Sequence, residues 1–288
     1  LPLLAKINKA GKMYTLISKD KSMSFDCPKV MGILNCNPDS FYAPSRSTEH
    51  DLIGQLTDKI VLEGADIIDI GGMSTKPGSK LIDPDEEINR ISFALKYCKK
   101  NYPDLWVSVD TVQSKVASFA LENGADMIND VSGGLMDPNI LSVVGFHQIP
   151  FVCTHMKGTP ENMQLDPQYN DVLEDVRQYF TERIAACTSF GIHQILLDPG
   201  FGFGKTIEHN YQLLDQLEKL HSFQKPLLVG ISRKSMIYKY LGIQADEALN
   251  GTSILNTVAL MKGVSILRVH DVAEAVEAVK LIEKMKKS

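Results

Sequence analysis

Eight short apolar, β-branched runs in this chain each end on side chains that bind, exchange protons or neutralise charge. In chain order the exits are Asn35, Asp69 ahead of Gly71-Gly72, Asp110, Asn129-Asp130, Thr154-His155, Asp198, Ser232-Arg233-Lys234, and Arg268 with His270. A single polar exit says little, because any strand leaving a core passes through polar residues. Eight exits that together supply acids, amides and cations describe a site, provided the fold brings them to one end. Other candidate chemistry is weaker. Gly200-Phe201-Gly202-Phe203-Gly204-Lys205-Thr206 nearly matches a phosphate-cradling nucleotide loop, but the position of its first glycine holds Pro199. His147, His193, His209 and His221 lack ligand spacing, and Cys27, Cys36, Cys98, Cys153 and Cys187 are scattered without a C-x-x-C pair. The cysteines read as reduced thiols, mostly small buried hydrophobes. His155 either borders a ligand or is a hydrogen-bonded structural histidine.

The runs lie at 30–34, 66–70, 105–109, 126–128, 149–153, 194–197, 227–230 and 264–267. Between and after them are helix-period segments at 51–64, 84–101, 112–123, 138–146, 168–190, 207–221, 246–262 and 271–286. Such alternation predicts parallel strands with right-handed crossovers closing into a (β/α)8 TIM barrel, which places its chemistry at the strand C-termini. A length of 288 residues and 44% apolar content suit one such domain over 1–288. The stretch 1–26 stands outside the count. Tyr14-Thr15-Leu16-Ile17 and Met23-Ser24-Phe25 predict a small N-terminal hairpin covering the barrel's N-terminal end. A net charge of -5 with dispersed basic residues gives no footprint for nucleic acid. No apolar stretch approaches the ~20 residues of a membrane span, and the opening Leu-Pro-Leu-Leu-Ala-Lys is too short and wrongly ordered for a signal peptide, so a cytoplasmic protein is expected.

Within this frame, Met31-Gly32-Ile33-Leu34-Asn35 with Pro38-Asp39-Ser40-Phe41, Ile70-Gly71-Gly72 with Ser74-Thr75, and Ser108-Val109-Asp110-Thr111 form an ordered set. Ile128-Asn129-Asp130-Val131, Leu197-Asp198-Pro199-Gly200, Ser232-Arg233-Lys234-Ser235 and Arg268-Val269-His270-Asp271 continue it. The set resembles the successive signatures of the dihydropteroate synthase family, in family order from residue 30 to 271. The resemblance implies an enzyme that joins a pterin methyl diphosphate to 4-aminobenzoate, with Mg2+ as cofactor and a homodimer as assembly.

A pterin's aminopyrimidinone edge needs acceptors for its N–H groups and donors for its ring oxygen and nitrogen, a mixture that Asp110, Asn129, Asp198 and Lys234 supply. By resemblance these four hold the pterin, with Asp110 and Lys234 the catalytic pair. Asn35, Thr75, Arg268 and His270 are expected to meet the diphosphate, and Asn35 with Asp39 the Mg2+. Phe41, Thr75, Pro77 and Ser235 are expected around 4-aminobenzoate, Ser235 through its hydroxyl and the start of a helix. Phe41 alone reads equally as a loop anchor.

The chain departs from the family pattern at Asn37, Met73 and Lys76, where Thr, an acid and Arg are usual. All three are expected on mobile loops over the second substrate. These departures keep a non-catalytic pterin-binding paralogue in view, and a pterin-dependent methyltransferase is a second alternative, although it has no use for the 232–235 and 268–270 motifs. Lys76 retains charge but lacks the planar fork that pairs bidentately with an anion. Lys76→Arg is therefore expected to lower the KM for 4-aminobenzoate about three-fold, a screened fraction of a charge-assisted pair, and to leave the pterin KM unchanged. Steady-state kinetics varying each substrate decide it, and a change confined to the pterin would put the loop on the wrong side of the site.

Overall fold

The computed structural model describes residues 14–37, 46–73, 78–79, 81–159, 161–163 and 167–287. Two short strands, β1 (Thr15–Ser18) and β2 (Lys21–Ser24), pair antiparallel as the predicted hairpin. Eight parallel strands follow: β3 (Lys29–Asn35), β4 (Ile67–Gly71), β5 (Trp106–Asp110), β6 (Met127–Asp130), β7 (Phe151–Thr154), β8 (Ile195–Asp198), β9 (Leu228–Val229) and β10 (Ile266–Val269). Each neighbours the next in sequence, and β10 returns to β3. A parallel bridge between Leu197 and Leu227 and a bond from Leu197 N–H to Pro226 O at 3.0 Å join β8 to β9 and close the barrel.

Nine helices lie outside the strands among the described residues: α1 (Arg46–Leu62), α2 (Pro84–Asn101), α3 (Ser114–Glu122), α4 (Asn139–His147), α5 (Val172–Ser189), α6 (Ile207–Asp215), α7 (Ser235–Leu241), α8 (Leu249–Met261) and α9 (Val272–Lys286). Their starts follow local chemistry. Asp83 caps α2 by accepting from Asp85 N–H, with Pro84 at the first helical position where its missing donor costs nothing. Asp171 caps α5, so that helix begins four residues later than the apolar period alone suggests. The period through 221 likewise misleads: α6 stops at Asp215 and a 3-10 turn carries 217–223. Leu217 and Leu220, spaced i and i+3, bury equally well in either geometry.

Alternation along each strand divides its side chains between two cores. Outward residues such as Val30, Ile68, Val107, Ile128, Phe151 and Leu267 pack under the helices. Inward residues at the strand starts, Met31, Ile67, Trp106, Met127, Val152, Leu196, Leu228 and Ile266, form one apolar layer with Leu16 and Met23 of the hairpin. The hairpin is thus the floor of the barrel. It is fastened by Gln194, whose side chain meets Ile17 N–H at 2.6 Å and Ile17 O at 2.9 Å. Buried Asp126 fastens it again, accepting from Lys21 and Lys99 ammonium groups at 3.1 Å each and from Val107 N–H at 3.0 Å.

Asp126→Ala leaves that buried N–H unpaired and brings two cations together, so it is expected to lower the unfolding free energy by about 2 to 3 kcal/mol. Urea denaturation measures the loss. Turnover per folded molecule should stay unchanged, because Asp126 lies at the opposite end of the barrel from the polar strand exits.

Candidate active site

The inward parity that builds the floor also builds the site. Two residues beyond Ile67, Met127, Leu196 and Ile266 the same face presents Asp69, Asn129, Asp198 and Arg268. Four residues beyond Met31, Trp106 and Ile266 it presents Asn35, Asp110 and His270. Apolar floor thus gives way to polar lumen within one alternation of the strands. The same rule separates the neighbours Asn129 and Asp130. Asp130 points outward, where its carboxylate accepts from Ser132 and Gly134 N–H groups at 2.7 and 2.8 Å and shapes the turn.

Arg268 sits at the centre of the lumen. Its Nε donates to Asp69 Oδ2 at 2.6 Å and its Nη2 to Asp110 Oδ2 at 2.7 Å. Asn129 Nδ2 donates to the same Asp69 oxygen at 3.0 Å, so Asp69 orients both a cation and an amide. Burial pushes the Asp110 carboxyl up to about 7, a rise that Arg268 opposes and Asp69 reinforces. Burial also raises Asp198, against the pull of Lys234 and of Gly200 N–H, which donates to it at 2.8 Å.

Lys234 comes from the loop after β9 and serves as the N-cap residue of α7. Its ammonium donates to Phe201 O and lies 4.2 Å from the centre of the Phe203 ring. Burial draws it down to about 8, with Asp198 opposing. Arg233 takes no part in the lumen. At a left-handed φ of 55° it turns outward, and its guanidinium grips Asp271 through two bonds of 3.0 and 2.6 Å. That grip ties the loop to the start of α9 and sets Lys234 and Ser235 in place; Ser235 is the first residue of α7. Ser232 Oγ meets His270 Nδ1 at 3.1 Å and accepts from its backbone N–H at 3.2 Å.

Of the residues singled out in the sequence, Asp110, Asn129, Asp198, Lys234, Arg268, Asn35, Ser235 and His270 all stand at the C-terminal ends of the strands or on the loops that follow. Arg268, however, spends two of its three nitrogens on carboxylates, so its position is that of an internal counter-ion before anything else. Asp39, Phe41, Thr75, Lys76 and Pro77 lie outside the described residues. Met73 departs from the expected mobile loop: it is buried in an apolar cluster with Val112, Val131, Met156 and Met163, against which Phe203 packs. Asn37 is buried as well. His155 is a structural histidine, since Nδ1 faces the buried Lys205 ammonium at 2.8 Å. Asp69 had been given no role, although an acid inside Ile67-Ile68-Asp69-Ile70, in phase with Asn129, marks an inward charge. Lys205, in the segment that nearly matches a nucleotide loop, points into the protein.

A closed parallel barrel with an apolar floor, crowned by acids, an amide and cations suited to a flat hydrogen-bonding ring, belongs with the pterin-binding enzymes, and the model of the family described as "Pterin binding enzyme" matches residues 31–270. The dihydropteroate synthase of Escherichia coli strain K12 is 41% identical over 272 residues, covering 93% of this chain and 95% of that protein. Among solved structures, Yersinia pestis dihydropteroate synthase with a sulfonamide drug superposes with a TM-score of 0.89 at 37% identity, covering 96% of this chain and 100% of that one. The Xanthomonas albilineans enzyme with 4-aminobenzoic acid gives 0.90 at 35% identity, over 96% and 100% of the two chains. This chain belongs to the dihydropteroate synthase family.

Because Asp69 has no exposed surface and holds both Arg268 and Asn129, Asp69→Ala leaves a guanidinium half-paired in the lumen. The expected cost is about 3 kcal/mol of unfolding free energy. Denaturant titration that finds wild-type stability would show that Asp69 does not carry the pair.

Proposed function

We propose that this chain condenses 6-hydroxymethyl-7,8-dihydropterin diphosphate with 4-aminobenzoate, giving 7,8-dihydropteroate and diphosphate. The observation that carries the reading is the convergence of Asp110, Asn129, Asp198 and Lys234 on one lumen in a chain so similar to dihydropteroate synthases. The reaction breaks the bond between the exocyclic methylene and the diphosphate oxygen, and the electron pair leaves with the diphosphate. The pterin ring shares the resulting positive charge, the amine nitrogen forms the new bond, and it then loses a proton. No enzyme nucleophile is required. Asp110 and Asp198 accept from the ring's N–H groups and stabilise its positive charge, while Asn129 and Lys234 donate to the acceptor side. His270 and the Arg268 nitrogen not engaged by carboxylates face the departing anion. Ser235, at the start of α7, meets the carboxylate of 4-aminobenzoate.

A magnesium ion fits the donor set at the end of β3. Asn35 Oδ1 lies 3.8 Å from where a side chain on Gly71 would begin, so a hard amide oxygen stands beside space kept open by a glycine. Among the described residues no group of three His, Cys, Asp or Glu side chains could hold a metal. Magnesium commonly keeps several waters and binds one or two protein ligands together with substrate phosphates, so Asn35, joined by Asp39, suffices. When bound, it would neutralise charge on the leaving diphosphate.

The same reading places the enzyme in the cytoplasm, which suits five thiols without a disulfide, and assigns it a homodimer. Among the described residues no helix is long and apolar enough to cross a membrane. Exposed Tyr240 and Leu241 on α7 and Ile254 on α8 favour self-association, and sedimentation at micromolar concentration should give twice the mass of 31.9 kDa.

Release of diphosphate that depends on 4-aminobenzoate tests the activity, and its pH dependence tests the roles. Asp110 gains its charge only as pH rises through about 7, and Lys234 loses its charge as pH rises through about 8. kcat/KM for the pterin substrate is therefore expected to climb across the first value and fall across the second, with the limbs belonging to the interacting set of groups. A profile that stays flat from well below the first value to well above the second would remove both residues from the chemistry.

A further inference from the structure

Lys205 is a buried ionisable group beside the lumen for which the reaction above has no use. It is 2% exposed, on the loop between β8 and α6. Its ammonium lies 2.8 Å from His155 Nδ1, 2.9 Å from Gly200 O, 3.2 Å from Phe203 O and 3.4 Å from His155 O. Three N–H donors thus meet three close acceptors, which requires a bare His155 Nδ1. One buried amine therefore ties the end of β7 to both ends of the segment 200–203.

That segment holds Lys234. Gly200, Gly202 and Gly204 take φ values of 70°, 80° and 61°, the left-handed region, and alternate with two phenylalanines. Phe201 offers its carbonyl to the Lys234 ammonium, and Phe203 places its ring 4.2 Å from it. A side chain on Gly202 would begin 3.0 Å from Lys234 Cδ, so the aliphatic stem of Lys234 runs along the glycine. Two outer struts brace the loop: Asn210 Oδ1 accepts from Gly202 N–H at 2.7 Å, and Tyr169 donates to Gly204 O at 2.7 Å. Lys205 is the inner strut.

We propose that Lys205 is a positioning residue, whose buried ammonium fixes the 200–204 loop against His155 so that the Phe201 carbonyl and Phe203 ring hold Lys234 in its working position. The proposal rests on the reading that Lys234 borders the pterin. It assigns Lys205 no contact with substrate.

The test is calorimetric titration of 6-hydroxymethyl-7,8-dihydropterin diphosphate into the full chain without 4-aminobenzoate, in a double-mutant cycle. Lys205→Met is expected to weaken binding roughly ten-fold in the wild-type background and less than about two-fold in the Lys234→Ala background, because the loop then has nothing to hold. A purely structural Lys205 would lower thermal stability but leave the affinity of the folded molecules unchanged, which overturns the proposal. Equal losses in both backgrounds also overturn it, since Lys205 would then act on the pterin by another route. Wild-type affinity in Lys234→Ala itself overturns the parent assignment of Lys234, and this inference with it. If Lys205→Met does not fold, Asn210→Ala loosens the same loop at Gly202 without stranding a charge. A loss of affinity that disappears in the Lys234→Ala background supports the proposal, and one that persists defeats it.

Discussion

A carboxylate with no exposed surface inside a barrel costs several kcal/mol in lost hydration unless it is paired, and Asp69 is a buried carboxylate that must be paired. Its coexistence with Asp110 and Asp198 in one lumen depends on Arg268, which reaches Asp69 and Asp110 with separate nitrogens of one rigid fork. Because the fork is planar, fixing Asp69 also fixes the direction from which Asp110 is met. Asn129 takes its orientation from the same Asp69 oxygen. The positions of Asp69, Asp110 and Asn129 therefore follow from one cation on β10. Asp198 is balanced first by Lys234 and then by Arg268, so the two cations share the acids of the lumen between them.

That arrangement is available because most strands change from apolar to polar on their inward face over a few residues. The starts of the strands are packed with Met31, Ile67, Trp106 and their neighbours, and polar side chains follow on the same face two or four residues further along most strands. An apolar floor supplies the rigid, dry base that keeps the ion pairs unscreened from below, while the helices outside bury the alternate side chains. Loops then add what strands cannot. Arg233 latches one of them to Asp271, and the glycine-rich segment 200–204 carries the carbonyl and ring that seat Lys234.

Much of this was legible in the sequence where local chemistry and tertiary position agree. The eight runs, the hairpin and the polar exits follow from period and turn residues. Eight of the expected site residues stand at the expected end, while those on 38–45 and 74–77 fall outside the described residues. What escaped was whatever depended on a partner distant in the chain. Asp69 and Arg268 are 199 residues apart, and no spacing rule pairs them. Lys205 was read with its sequence neighbours as a phosphate loop, yet His155, 50 residues earlier, turns it inward. Met73 looked like a departure on a mobile loop because only the fold shows its apolar seat beside Met156 and Met163. The strand at 227–230 shrank to Leu228–Val229 since Gly230 already leaves the ladder.

The hairpin floor has a consequence for traffic. With Leu16 and Met23 packed against the strand starts, the lumen formed by the described residues is closed at that end. On the proposed assignment, a ring among Asp110, Asn129 and Asp198 would sit on the strand ends, and a carboxylate at Ser235 would sit further out on the loop that opens α7. On that assignment the deeper guest would arrive first, and the outer one, once seated, would block its retreat. A product spanning both positions can withdraw only as a whole, so departure of the joined molecule and entry of the next ring compete for the same passage.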